Sequence, residues 1–221
     1  MTERWASFDC YGTLVDWNAG IRSTLAELWP AKDPDALLDA YHRHESEVES
    51  GRGIPYRTVM AEVLHALAQE FGSTVPGGRG GALAESLPNW PVFPEVPGAL
   101  RELRERGWKL AILSNTDADL LDASLQAIGV PVELRVVASD IGSYKPGLAH
   151  WQVFFDRSGA QRQGHVHVAG SLFHDIEPAA RQGLHAVWIN RLGETSDLPR
   201  DGELPDLTGL PDLLDRIAPA T

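Results

Sequence analysis

Cys10 is the only cysteine among the 221 residues, so no disulfide can form within the chain. No apolar run approaches the ~18 residues that a membrane-spanning helix requires. The Met1-Thr2-Glu3-Arg4-Trp5 start lacks an apolar leader, so a cytoplasmic protein without a secretory signal is expected. There is no basic stripe either. A net charge of −12 argues against a nucleic-acid partner, because phosphate binding needs a positive surface. It leaves small anions open, since a few local cations can override the overall field. Internal repeats and low-complexity tails are missing. What is present is 43% apolar and 23% charged, the composition of a soluble globular protein. The length suits one domain, or one core with a modest insertion.

Apolar runs alternate with helical periodicity along most of the chain. Strands are expected at about residues 5–9, 108–113, 134–138, 165–169 and 185–189. Between them, residues 97–106 place Leu100 and Leu103 on one helical face and stop at Gly107. Residues 117–128 do the same with Leu120, Leu121, Leu125 and Ile128, and stop at Gly129. Residues 148–158 and 176–182 follow suit, the second closed by Gly183. This alternation predicts an α/β fold with a parallel sheet joined by right-handed crossovers. Residues 17 to about 90 break the pattern, with helical stretches at 18–29, 34–50, 55–71 and 80–87 and no convincing strand. Residues 76–81 read as a flexible glycine-rich loop and 88–94 as a stiff, proline-rich return. The expected organisation is a core of residues 1–16 and 91–221 carrying an all-helical insertion, 17–90.

Polar residues gather where these strands end. The first gives Asp9 and Thr13, and the second gives Ser114-Asn115-Thr116-Asp117. The loop after the third holds Asp140 and Tyr144-Lys145-Pro146, and the fourth ends in Gly170-Ser171-Leu172-Phe173-His174-Asp175. Singly, Ser114 or Thr116 would serve as a helix N-cap and Asp140 as a turn former. Together they stand at the carboxyl ends of successive parallel strands, where open α/β sheets bind their ligands.

The order Asp9-Cys10-Tyr11-Gly12-Thr13-Leu14-Val15-Asp16, Ser114-Asn115, Tyr144-Lys145-Pro146 and Asp175 resembles the haloacid dehalogenase (HAD) superfamily over essentially the whole chain. The segment Leu110-Ala111-Ile112-Leu113-Ser114-Asn115 is similar to its L-2-haloacid dehalogenase branch. The resemblance implies a Rossmann-like core with a helical cap formed by the insertion. Homodimers are common in that branch and are an expectation here.

A phosphatase of this superfamily needs a second Asp two residues after the nucleophile and a pair of acidic Mg²⁺ ligands, because phosphoryl charge must be neutralised. Here those places hold Tyr11 and Gly170, and only Asp175 remains. The residues therefore suit attack at carbon. The resemblance implies hydrolytic dehalogenation of a short 2-haloacid, without metal or cofactor, through an aspartyl ester on Asp9. Lys145 would place an opposite charge that favours the carboxylate form of the nucleophile. Asp175 would hold Lys145 and position the hydrolytic water. Thr13, Ser114 and helix-start N–H groups would hydrogen-bond the substrate carboxylate or the ester oxyanion. Tyr11, Asn115, Tyr144 and Ser171 complete the expected substrate contacts, with simple packing the alternative for Tyr144.

Two places depart from the branch. Its cap arginine falls at His42, with Arg43 one residue on; at ~100° of helix per residue only one of them can face inward. Leu172 replaces an asparagine and His174 an aromatic wall, so His174 is either a proton acceptor and halide donor or a side chain directed away from the pocket. Cys10 reads as a buried small hydrophobe. His165 and His167 share a strand face, but the eight histidines form no set spaced for zinc. A Mg²⁺-dependent phosphatase and a catalytically idle HAD-like protein remain the alternative readings.

Overall fold

The fold is seen in a computed structural model that describes residues 3–49 and 52–220. Met1, Thr2, Ser50, Gly51 and Thr221, which fall within the expected segments, lie outside the described residues. Six strands form one parallel sheet: β1 (Arg4–Phe8), β2 (Trp108–Ser114), β3 (Leu134–Val137), β4 (His165–Ala169), β5 (His185–Ile189) and β6 (Gly202–Leu204). Their spatial order is β3-β2-β1-β4-β5-β6. Both faces of the sheet are covered, which is why its strands read as continuous apolar runs. Phe8, Leu110, Ile112, Val166 and Val168 face one core layer, while Trp5, Ala111, Leu113, Ala169 and Trp188 face the other.

Four helices make up the insertion that follows β1: α1 (Trp17–Leu28), α2 (Pro34–Glu49), α3 (Tyr56–Glu70) and α4 (Ala82–Ser86). The rest serve the sheet: α5 (Val96–Glu105), α6 (Ala118–Ile128), α7 (Ala138–Ile141), α8 (Ala149–Ser158), α9 (Glu177–Arg181) and α10 (Leu210–Ile217). The five strands expected from sequence are all present within a residue at each end. β6, α7 and α10 were not expected. β6 is three residues long and none of them is fully buried, so it offers no apolar alternation to read.

The insertion is joined to the core by two chain segments lying side by side. Asp16 N–H donates to Pro91 O at 2.8 Å and Phe93 N–H to Leu14 O at 3.1 Å. A second tie runs from Asp117, just after β2, to the start of α3. Its carboxylate accepts the backbone N–H groups of Tyr56 (2.9 Å) and Arg57 (3.1 Å), so a core residue caps an insertion helix. Asp117 makes no such bond to its own helix, α6. Among the described residues no helix is long and apolar enough to cross a membrane.

Candidate active site

The strand order reverses on either side of β1, so its carboxyl end opens on the crevice where α/β sheets bind ligands. Asp9 sits there. The following chain curls tightly: Cys10 O accepts the N–H groups of Leu14 (2.7 Å) and Val15 (3.0 Å). Gly12 makes this possible at φ +84°, a conformation open mainly to glycine. The curl folds Thr13 back, and its hydroxyl donates to Asp9 Oδ2 at 2.8 Å while accepting from Gly170 N–H at 2.8 Å. Cys10 is fully buried among apolar neighbours, and burial pushes its thiol up.

Lys145 lies against the other carboxylate oxygen. Its buried Nζ donates to Asp9 Oδ1 (2.9 Å), Asp175 Oδ1 (2.6 Å) and Leu113 O (2.8 Å), which uses all three ammonium protons. Burial alone would strip its charge, but Asp175 and Asp9 outweigh that and raise its pKa. Asn115 sets the backbone of the lysine from both sides: its Nδ2 donates to Lys145 O (3.0 Å) and its Oδ1 accepts Lys145 N–H (2.7 Å).

Asp175 belongs to a wide turn over Leu172–Ile176, closed by Ile176 N–H donating to Ser171 O five residues back. Such turns recur at functional sites. Asp175 Oδ1 also faces His167 Nε2 at 2.9 Å, and Ser7 Oγ bridges His167 Nδ1 (2.8 Å) and His165 Nε2 (2.7 Å). Burial opposes the charge of Asp175, yet Lys145 and His167 hold its pKa well below the usual range. Its Oδ2 is buried without a partner among the described residues. His167 is thus a support the sequence did not reveal as functional, although its shared strand face with His165 was visible.

These groups form the floor of a cavity of about 240 Å³. Ser114, Ser171 and His174 flank it from the core, and Trp17, His42 and Tyr56 from the insertion. Glu45, Ser46 and Glu49 complete the insertion's side. Glu45 is fully enclosed, and its Oε1 accepts the hydroxyls of Tyr41 (3.0 Å) and Tyr56 (2.6 Å). Burial pushes Glu45 up to about 7 against those two donors. Burial and the neighbouring Glu45 push Glu49 up to about 9. The sequence reading missed both acids. A wider groove of about 900 Å³ adjoins the cavity and shares Tyr11, Trp17 and Ser171 with it.

Several expected contacts come out differently. Of the two candidates on α2, His42 faces the cavity, its ring 4.7 Å from that of Trp17 and its Nε2 2.9 Å from Asn18 Oδ1. Burial lowers its pKa, which favours the neutral ring. Arg43 does not reach the site; it is exposed and paired with Glu70 at 2.8 Å. Tyr144 is outside the cavity as well, because its hydroxyl donates to Ile54 O at 2.9 Å and ties the loop after β3 to the insertion. Thr13 spends its proton on Asp9, so it is a support of the carboxylate rather than a donor to substrate. Asn115 borders the cavity with its amide committed to Lys145. Ser171 caps the wide turn, accepting His174 N–H at 3.1 Å, and His174 itself faces the cavity. Burial lowers the pKa of that histidine. Neither Ser114 nor Thr116 caps α6; both hydroxyls are buried and unpartnered among the described residues.

The donor set does not fit a magnesium ion. Tyr11 is held by Ser124 Oγ at 3.1 Å and burial raises its pKa steeply, so it supplies neither a ligand charge nor an acid/base group. A Cβ at position 170 would stand 2.8 Å from Gly12 O, so the backbone there excludes any acidic side chain. The place between Asp9 and Asp175 is taken by the lysine ammonium. Among the described residues no group of three or more His, Cys, Asp or Glu is arranged to hold a metal.

A family model for haloacid dehalogenase-like hydrolases matches residues 4–195. The chain belongs to that family. Among its curated relatives, haloacetate dehalogenase H-2 of Moraxella sp. (strain B) is 28% identical, with 91% of each chain covered. (S)-2-haloacid dehalogenase 1 of Pseudomonas sp. (strain CBS-3) is 27% identical, over 95% of this chain and 96% of the relative. The fold is shared with L-2-haloacid dehalogenase from Xanthobacter autotrophicus, solved with chloropropionic acid covalently bound. The TM-score is 0.85 at 19% identity, with 96% of this chain and 98% of that one covered. A six-stranded parallel sheet with a helical insert is therefore the HAD dehalogenase architecture.

Proposed function

We propose that this HAD hydrolase dehalogenates short 2-haloacids to 2-hydroxy acids through an ester on Asp9. The observation that carries the reading is the Asp9–Lys145–Asp175 array at the floor of the cavity, with Tyr11 and Gly170 in place of the acids that phosphoryl transfer requires. An Asp9 oxygen attacks the carbon bearing the halogen from the face opposite it. As the new C–O bond forms, the carbon–halogen bond breaks and its electron pair leaves with the halide. Water then adds to the Asp9 carboxyl carbon, and the acyl C–O bond breaks. The 2-hydroxy acid departs with inverted configuration, Asp9 returns as carboxylate, and one proton is released overall. The free Oδ2 of Asp175 suits the positioning of that water, since Oδ1 is already committed to Lys145 and His167.

The relatives named as haloacid and haloacetate dehalogenases support the substrate class. The test is halide release from 2-chloropropionate, monochloroacetate and fluoroacetate, combined with mass spectrometry of protein trapped during turnover. Release is expected from at least one substrate, with a substrate-derived mass on the peptide holding Asp9. Asp9→Asn should lose both. Folded protein that frees no halide from any of the three overturns the reading.

A further inference from the structure

The cavity above Asp9 is rich in acceptors and, among the described residues, has no free cation. Its one ammonium, Lys145, has all three protons engaged. No arginine lines it among the described residues, and the one basic group on the insertion's side, His42, is partnered to Asn18. In their place the insertion presents Glu45 and Glu49. An anionic substrate entering here would meet carboxyl groups above and below, at a depth where an uncompensated charge is strongly disfavoured. Either the substrate carboxylate is held by core hydroxyl and N–H donors alone, against two ionised acids, or one carboxyl carries a proton.

The geometry favours the second. Glu45 Oε1 accepts two tyrosine hydroxyls, which favours its carboxylate form, and a second charge one helical turn on is then disfavoured. Glu49 is left as the member that holds a proton, and its Oε2 lies 3.9 Å from Nε2 of His174, which also lines the cavity. On the core side, the Ser114 hydroxyl lines the same cavity, is 1% exposed and has no partner among the described residues. A buried, unused donor beside the nucleophile is a position prepared for a ligand oxygen. Resting on the dehalogenase reading above, we propose that Glu49 in its acid form donates a hydrogen bond to the substrate carboxylate, beside the Ser114 hydroxyl already expected there from the family resemblance. Glu45 serves as the positioning residue that keeps the proton on Glu49.

The surroundings of Glu49 bear on its proton from every side. Glu45 from its own helix favours retention, while Lys145 from the loop after β3 opposes it. His42 and His174 are both lowered by burial and so lean to the neutral form. Tyr56 from α3 and Tyr144 from the loop after β3 are raised well above the ordinary range and add no charge. The balance leaves Glu49 pushed up to about 9, an acid through the neutral range.

The experiment measures binding and needs no turnover. Titration calorimetry with 2-hydroxypropionate, the product expected from 2-chloropropionate, is run from pH 6 to 9.5 in pairs of buffers with different ionisation enthalpies. Affinity should hold to about pH 8 and then weaken, about fourfold by pH 9.5, with roughly three-quarters of a proton taken up per ligand there. Glu49→Gln keeps a neutral donor, so its affinity should stay level over the same range without proton uptake. Glu49→Ala should bind weakly at every pH. Thermal melts at each pH establish that the variants are folded. The proposal is overturned if 2-hydroxypropionate does not bind at any pH, or if Glu49→Gln follows the wild-type pH dependence. Tighter binding of 2-hydroxypropionamide than of the acid across the range also overturns it, by showing that the acids act as acceptors. Failure of the dehalogenase reading shows separately, as absent halide release.

Discussion

Lys145 joins every charged group on the cavity floor. It is 2% exposed and donates to Asp9, Asp175 and a carbonyl, so it functions as a fixed counter-charge between two carboxylates rather than as a ligand for substrate. Lys145→Met conserves most of the volume but leaves the two acids facing each other without it. Breaking a buried pair from one side costs about 3–5 kcal/mol. The variant should show a stability loss of that order in urea unfolding and no measurable halide release. A midpoint within about 1 kcal/mol of wild type would mean that the ammonium is not the counter-charge this geometry makes it. Asp9, Lys145 and Asp175 were legible in the sequence because strand ends in a parallel sheet converge, whatever the loops between them do. Glu45 and Glu49 were not. Two acids four residues apart on a helix read as a solvated face, and only the tyrosines of α2 and α3 bring that face inside. Arg43 failed for the converse reason: one residue of helical phase turns it to solvent and Glu70.

At the scale of elements, the site depends on how the insertion is held over the sheet. α3 is fastened by its N-terminus to Asp117, and the same helix carries the Tyr56 hydroxyl that fixes Glu45. Arg57 strengthens the tie, with Nε 3.0 Å from Asp117 and its other end on Asp119. Asp117→Ala leaves two backbone N–H groups of α3 without their acceptor and should cost about 2 kcal/mol, the upper part of the range for a lost cap. Asp117→Asn keeps one carbonyl acceptor and should lose about half as much. Urea midpoints of the two variants check the order; equal loss in both would assign the effect to the Arg57 ion pair alone. The helices and the first five strands could be read from sequence because each buries a face of its own. β6 could not, since none of its three residues is fully buried, nor could the four-residue α7; α10 does carry a legible face, Leu210 and Leu214 one turn apart, which the sequence reading did not take up.

For the whole molecule, the buried titratable groups decide how stability follows pH. Glu45 and Glu49 have raised pKa values in the fold, about 7 and about 9 against 4.5 unperturbed. Their contribution is whole below the unfolded value and is lost as pH climbs through the folded ones. His42, His150, His165 and His174 are lowered by burial, His150 to about 3. Their contribution is whole above roughly 6.5 and is lost as pH falls, because the unfolded chain then binds protons that the folded one refuses. Asp175, lowered by Lys145 and His167, adds to the acid loss below the ordinary carboxylate range. Between roughly pH 4.5 and 6.5 the two trends oppose each other: His150 and His165, lowered far enough to span the window, offset the two glutamates, and His42 and His174 tip the sum, so stability still rises with pH. Above that window the glutamates act, joined at about pH 9 by the buried Cys10 thiol. Unfolding by urea from pH 4 to 9.5 should therefore give a maximum near pH ~6.5 with a decline on both sides. Glu49→Gln should keep the acid limb and lose much of the decline between pH 7 and 9, since the group whose deprotonation drives it has been removed. A wild-type midpoint that stays level from pH 7 to 9 would mean that the fold accommodates both ionised glutamates. The cavity would then already be anionic at neutral pH, and a carboxylate substrate would need a cation that the insertion does not supply.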